Sequence, residues 1–204
     1  VTVRDITAPI VYLITPANNT KTTTSSNYFY ANHTDETGLS SATLYIYNST
    51  SQVGTNLTVI SGASNTTNLS FTFPREDIYF WNYLTNDTSN NLAMNNSNFT
   101  ITYDITNPIV NLIAPVNNTL TTQANHSFNS TFTDNLGLTN STFYLYNSTN
   151  SLINTTTETK SGTSGGMNLT VTLPYNDVFK WNYQSCDNAN NCAFNITNFT
   201  ITLD

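Results

Sequence analysis

Nine aspartates are spread thinly through 204 residues, and six of them fall into two matching sets. Asp5, Asp35 and Asp87 return as Asp104, Asp134 and Asp187, with asparagines close by. Carboxylate and amide oxygens gathered in this way suit Ca²⁺, a hard cation that takes about six to eight oxygen ligands. The plainer alternative is that each Asp caps a turn by accepting hydrogen bonds from its own backbone. Both remain open on sequence alone, and a chelator separates them, since only a bound ion would make heat stability depend on it.

Two cysteines, Cys186 and Cys192, flank Asp187-Asn-Ala-Asn-Asn191, where the first half of the chain has Asn86 and Leu92. A zinc site needs more ligands and a neighbouring histidine, and a redox Cys-x-x-Cys has a different spacing. A disulfide stapling a hairpin is the better expectation, and it implies an oxidising compartment. His33 and His126 are the only histidines and occupy non-equivalent places. His33 aligns with Phe132, on a face expected to be core. No Ser-His-Asp arrangement is supported, so catalysis is not expected.

Asn-x-Ser/Thr occurs eighteen times, well above what the composition would scatter at random. The first nine are Asn18, Asn32, Asn48, Asn56, Asn65, Asn68, Asn86, Asn95 and Asn98. The second nine are Asn117, Asn125, Asn129, Asn140, Asn147, Asn154, Asn168, Asn195 and Asn198. A glycan must point outward, so an acceptor within a strand should alternate with core residues. Asn68 beside Leu69, Asn98 beside Phe99, Asn129 beside Phe128 and Asn168 beside Leu169 all keep that phase. Several acceptors are therefore expected to carry N-glycans.

What positions these residues is an internal repeat. Asp5-Ile-Thr-Ala-Pro-Ile-Val-Tyr-Leu-Ile14 returns 99 residues later as Asp104-Ile-Thr-Asn-Pro-Ile-Val-Asn-Leu-Ile113. Tyr45-Ile-Tyr-Asn-Ser-Thr50 matches Tyr144-Leu-Tyr-Asn-Ser-Thr149, and Trp81-Asn-Tyr83 matches Trp181-Asn-Tyr183 after one inserted residue. The repeats are placed at residues 1–103 and 104–204. Val1-Thr-Val-Arg-Asp5 has the phase of Thr100–Asp104 and Thr200–Asp204. A two-repeat window on a longer array is expected, or a protomer whose ends meet those of its neighbours. Any export signal or anchor is expected to lie outside this sequence.

Within each repeat the period is two. Leu69, Phe71 and Phe73 alternate with Ser70 and Thr72, and Tyr79, Trp81 and Tyr83 share a face, as half-buried antiparallel strands require. About seven runs appear in the first repeat, near residues 10–14, 27–34, 41–47, 56–60, 67–73, 79–86 and 98–104. The fold class expected is all-β, two tandem immunoglobulin-like β-sandwiches of about seven strands each. On the third strand Leu44 and Ile46 should face inward, like Phe143 and Leu145. That turns Tyr45, Tyr47, Tyr144 and Tyr146 outward, either partly covered by loops or available as a contact surface for a subunit or a sugar.

The pattern Asp-x-x-x-Pro-x-Val, Asp-x-x-Gly-Leu, Leu-Tyr-x-Asn and Trp-Asn-Tyr followed by Asp resembles bacterial and archaeal immunoglobulin-like repeats. Those occur in arrays on cell-surface proteins, and the resemblance spans both repeats. It departs from antibody domains, because the Trp lies on the sixth strand and no inter-sheet cysteine pair is present. These motifs mark a fold and carry no activity.

Composition narrows the partners. Charged residues are 8% of the chain, against about 25% in ordinary soluble domains. Asn, Thr and Ser take their place, at 34, 39 and 19 residues. A net charge of −7 offers no footprint for nucleic acid or anionic lipid. The longest apolar run, Ile10 to Ile14, falls far short of the roughly 20 residues of a membrane helix, so no membrane insertion is expected in this segment. The short, Pro-containing linker at residues 104–108 predicts sandwiches set end to end with limited swing, the second acid trio gathering at their junction. Two functions compete. One is a structural extracellular glycoprotein that assembles with copies of itself into a filament, pilus, stalk or S-layer. The other is an adhesin-type module that presents loops to sugar or protein ligands. Low charge and many glycan acceptors point to an archaeal surface, with bacterial and viral surfaces as alternatives. No cofactor is required, Ca²⁺ being the one candidate.

Overall fold

The computed structural model describes residues 4–204, and every regular element among them is a β-strand. The comparison of Val1, Thr2 and Val3 with later strand ends lies outside the described residues. Among the described residues no helix is long and apolar enough to cross a membrane. Two compact units divide the chain, Val1–Asp104 and Ile105–Asp204.

The first unit contains β1 (Ile10–Thr15), β2 (Thr20–Thr22), β3 (Ser26–Thr34), β4 (Leu39–Tyr47) and β5 (Gln52–Val59). It continues with β6 (Ser64–Thr72), β7 (Asp77–Asp87), β8 (Leu92–Met94) and β9 (Phe99–Tyr103). A three-stranded sheet in the order β1-β3-β6 faces a six-stranded sheet, β2-β9-β7-β4-β5, in which β8 also pairs with β7. All pairs are antiparallel except β2 with β9.

The second unit repeats this order. Its strands are β10 (Ile109–Ala114), β11 (Thr119–Thr121), β12 (Asn125–Thr133), β13 (Leu138–Tyr146) and β14 (Leu152–Thr159). They are followed by β15 (Ser164–Thr172), β16 (Asp177–Asp187), β17 (Cys192–Phe194) and β18 (Phe199–Leu203). Sheets β10-β12-β15 and β11-β18-β16-β13-β14 reproduce the two layers.

Each unit thus has nine strands where about seven were expected. The additional strands in the first unit, β2 and β8, have three residues each, too few for an alternating pattern to show. The other seven follow the expected runs, and the all-β double sandwich stands.

In β4 alternation fails for a local reason. The pairing of β4 with β7 shifts between Leu39 and Ser41, so Leu39 and Ala42 are both buried although three residues apart. That is the effect of a bulge, which inserts a residue and resets the phase.

The core is mostly aromatic. Trp81 lies edge-on to Phe29 at 5.2 Å and to Phe99 at 5.6 Å, and Phe73 stacks on Tyr79 at 4.3 Å. Trp181 repeats the contacts with Phe128 at 5.2 Å and Phe199 at 5.6 Å. A tyrosine hydrogen bond ties the layers of each sandwich. Tyr83 Oη on β7 donates to the Phe29 carbonyl on β3 at 2.7 Å, and Tyr183 Oη donates to the Phe128 carbonyl at 2.8 Å. A fully buried large side chain contributes about 1.5–3 kcal/mol and a net hydrogen bond about 1 kcal/mol. Burial of the rings therefore dominates, and the tyrosine bond fixes how the layers register.

Candidate functional sites

The sequence-matched aspartates come together. In the first repeat one carboxylate oxygen each from Asp5, Asp35 and Asp87 lie within 4.8 Å of one another. Asp35 and Asp87 are buried and Asp5 is half-buried.

Turn geometry brings them there. Asp35 Oδ1 accepts from the backbone of Thr37 at 3.0 Å and of Gly38 at 2.8 Å. Gly38 has φ 137° and its counterpart Gly137 has φ 135°, a region that strongly favours glycine. Asp87 Oδ1 accepts from Ser89 N and Asn91 N, both at 2.8 Å, and its Oδ2 from Asn91 Nδ2 at 2.6 Å. Burial works to raise the Asp87 carboxyl, but the hydrogen bonds from Asn91 and Ser89 outweigh it and hold it below the usual range. Asp5 accepts from Thr7 N at 2.9 Å and contacts the Thr37 hydroxyl, which also reaches Asp35 Oδ1. In the second repeat Asp134 Oδ1 accepts from Leu136 N and Gly137 N, and Asp187 Oδ1 from Ala189 N and Asn191 N.

Capping does not use every oxygen. Oδ2 of Asp35 and Oδ2 of Asp134 are sealed from solvent and accept no hydrogen bond. Neither ion pair among the described residues, Arg75–Asp77 and Lys160–Glu158, involves Asp5, Asp35 or Asp87.

Cys186 on β16 lies directly opposite Cys192 on β17, and the two form a disulfide. Asn86 and Leu92 are opposed in the same register in the first repeat.

None of the eighteen sequon asparagines is buried. Asn18, Asn32, Asn56, Asn68, Asn98, Asn117, Asn125, Asn168 and Asn198 are exposed, and the other nine are half-buried. Several also serve the backbone. Asn48 Oδ1 accepts from Thr50 N and Ser51 N, as Asn147 Oδ1 does from Thr149 N and Ser151 N. Asn18 and Asn117 accept from Thr100 N and Thr200 N, both at 2.9 Å.

Tyr45, Tyr47, Tyr144 and Tyr146 point away from the core and are half-buried, partly by each other. Tyr45 stacks on Tyr47 at 6.2 Å and Tyr144 on Tyr146 at 6.3 Å. A more exposed aromatic face lies elsewhere. Tyr28 is 60% exposed, Tyr12 58% and Tyr30 38%, all on the outer face of β1 and β3. Sequence reasoning missed them, although their alternation with buried Val11, Phe29 and Ala31 carries the signal. The second repeat has Asn111, Ser127 and Asn129 there.

Asn82 and Asn182, the middle residues of Trp-Asn-Tyr, were also missed. Asn82 is buried, donates to the Asn95 carbonyl at 3.0 Å and to Asn98 Oδ1 at 2.9 Å, and accepts from Tyr83 N at 2.8 Å. Asn182 does the same with Asn195, Asn198 and Tyr183. Each fastens the segment leading into the last strand of its sandwich.

His33 is enclosed between the layers, with Nδ1 2.7 Å from Thr85 Oγ1 and Nε2 2.9 Å from Thr67 Oγ1. Burial lowers its pKa to about 4. Burial also pushes Tyr83 up to about 12 and raises Tyr183 further.

The geometry defines a class of protein, tandem immunoglobulin-like β-sandwich repeats. No protein-family model matches the chain, and no curated protein matches it in sequence. Among solved structures it is similar to the fibronectin(III)-like modules of Clostridium thermocellum CbhA, at 12% identity and TM-score 0.42, over 96% of this chain and 94% of that one. A tetra-tandem repeat from the extending region of a large adhesion protein matches at 15% identity and TM-score 0.42, over 97% of this chain and 49% of that one. Red sea bream transglutaminase matches at 8% identity and TM-score 0.39, over 98% of this chain and 32% of that one. At such scores the likeness carries no functional argument, and the fold rests on the strand pairing itself.

Proposed function

We propose that the chain is a structural, N-glycosylated extracellular repeat protein that assembles with copies of itself into a surface filament, pilus, stalk or S-layer, without catalysis. The observation that carries this reading is that eighteen glycan acceptors are distributed over two sandwiches with none turned into a core. The disulfide supports an oxidising, extracytoplasmic setting. His33 has both ring nitrogens against threonine hydroxyls inside the core, which suits packing and not acid–base work.

The edges of the sheets differ in a way that bears on assembly. β5 carries Asn56 and β6 carries Asn65 and Asn68, while β1 and β2 carry no acceptor. In the second unit β14 carries Asn154 and β15 carries Asn168, while β10 and β11 carry none. Glycans on β5, β6, β14 and β15 would block those edges from indiscriminate pairing. Strand addition is then left to the opposite edges.

The exposed Tyr12, Tyr28 and Tyr30 face favours a second reading, an adhesin-type module with a sugar or protein ligand. Electron microscopy of native material with intact mass separates the two. Ordered polymers whose chains exceed the 22.6 kDa of the polypeptide are expected. Unmodified, monodisperse monomers would overturn the assembly reading and favour the ligand module.

A further inference from the structure

We propose that the first repeat holds one Ca²⁺ ion, bound by Asp5, Asp35 and Asp87. The site stands whether or not the chain polymerises.

Turn capping alone does not explain the residue type. Asparagine caps the same turns without a charge, and this chain has 34 of them against nine aspartates. Asn48 and Asn147 do that work elsewhere in the fold. Yet three of the nine aspartates gather in this one cluster. A chain that otherwise avoids charge concentrates it where three carboxylates repel one another.

Asp35 is the clearest case. It is 8% exposed, its Oδ1 is used by the Thr37 and Gly38 amides, and its Oδ2 is enclosed without a hydrogen bond. A buried anionic oxygen with no partner is strongly unfavourable. A cation within the cluster would satisfy Asp35 Oδ2 and relieve the repulsion with Asp5 and Asp87 together.

The donor set selects the ion. Three carboxylates whose oxygens lie within 4.8 Å of one another can share one Ca²⁺, which takes oxygen ligands in flexible geometry. Mg²⁺ demands a strict octahedron, keeps several of its waters and is usually held by only one or two carboxylates. Asp5 is only half-buried, which leaves one side open for the waters that complete six to eight ligands.

The test is calorimetric titration of Ca²⁺ into the full chain after stripping with EGTA, with thermal unfolding in both states. One ion at this site is expected, with the unfolding midpoint of the first sandwich raised by about 10 °C at a hundredfold excess over Kd and a weaker response to Mg²⁺. The deciding variant is Asp35→Asn, which keeps the cap and removes the charge. Without Ca²⁺ it should melt above the wild type, because repulsion is relieved. With Ca²⁺ it should melt below the wild type, because binding is lost. No heat of binding at millimolar Ca²⁺, or an ion count that Asp35→Asn leaves unchanged, would overturn the site. A Mg²⁺ response equal to that of Ca²⁺ would overturn the choice of ion.

Discussion

His33 should make the stability of the first sandwich depend on pH, and the second sandwich supplies the control. The ring is fully enclosed, with Tyr83 edge-on at 5.3 Å and a threonine hydroxyl at each nitrogen. Burial lowers the imidazole pKa from 6.5 to about 4. The unfolded chain therefore takes up the proton first as pH falls. Stability from this group is fully present above about pH 6.5, declines by about 1.4 kcal/mol per unit toward pH 4, and levels off below that. The total is about 3 kcal/mol, or a midpoint more than about 10 °C lower for a domain of this size. In the second repeat the equivalent positions hold Phe132 for His33, Met167 for Thr67 and Ser185 for Thr85. His33→Phe with Thr67→Met installs the second repeat's pair. Calorimetric unfolding of wild type and variant at half-unit steps from pH 7.5 to 3.5 gives a difference free of carboxylate titration common to both. The variant should lose the slope between pH 6.5 and 4. Parallel profiles, or an imidazole that titrates by NMR near pH 6.5, would refute the reasoning.

Replacing Cys186 and Cys192 by serine should cost the second sandwich about 2 kcal/mol, the chain-entropy value for so short a loop, read by denaturant unfolding. The register of Asn86 opposite Leu92 means that Asn86→Cys with Leu92→Cys should form the same bond in the first repeat, seen as a loss of two hydrogens by mass. Glycopeptide mapping should find Asn56 and Asn168 occupied, since both are exposed mid-strand and neither makes a side-chain hydrogen bond among the described residues.

The sandwich was legible because inward rings alternate with outward Ser, Thr and Asn over long strands, and because the chain states the pattern twice. β2, β8, β11 and β17 were not, since three residues cannot display a period. The bulge beside Leu39 hid that residue's burial for the same reason. Asn82 escaped notice because a polar residue between two core aromatics looks like the outward half of an alternation. Only the pairing with Asn95 and Asn98, thirteen and sixteen residues on, reveals that it is enclosed. The aspartates were matched in sequence, and the folded turns bring them within one ion's reach. Tyr45 and Tyr47 face outward, as the phase of β4 requires, but mutual stacking leaves them half-buried, which no strand pattern encodes. Tyr12, Tyr28 and Tyr30 obey the same alternation with no ring stacked upon them among the described residues.

The two repeats amount to an internal comparison of what the fold demands and what it leaves free. Trp-Asn-Tyr, the tyrosine bond between layers, the acid trio and the asparagine caps occur in both, so they belong to the architecture. The outer face of β1 and β3 is not held in common, with Tyr12, Tyr28 and Tyr30 set against Asn111, Ser127 and Asn129. A chain of identical repeats would offer every contact twice and leave the register of an assembly undefined. An aromatic face present once per chain gives each subunit a distinguishable half. A contact built on it joins unlike surfaces, and repetition of such a heterologous contact generates an open filament or a closed ring according to whether the rotation closes. With glycan acceptors on β5, β6, β14 and β15, and none on β1, β2, β10 or β11, both sandwiches keep a bare edge, and the tyrosines mark that of the first alone. A self-assembling subunit would take its polarity from that difference.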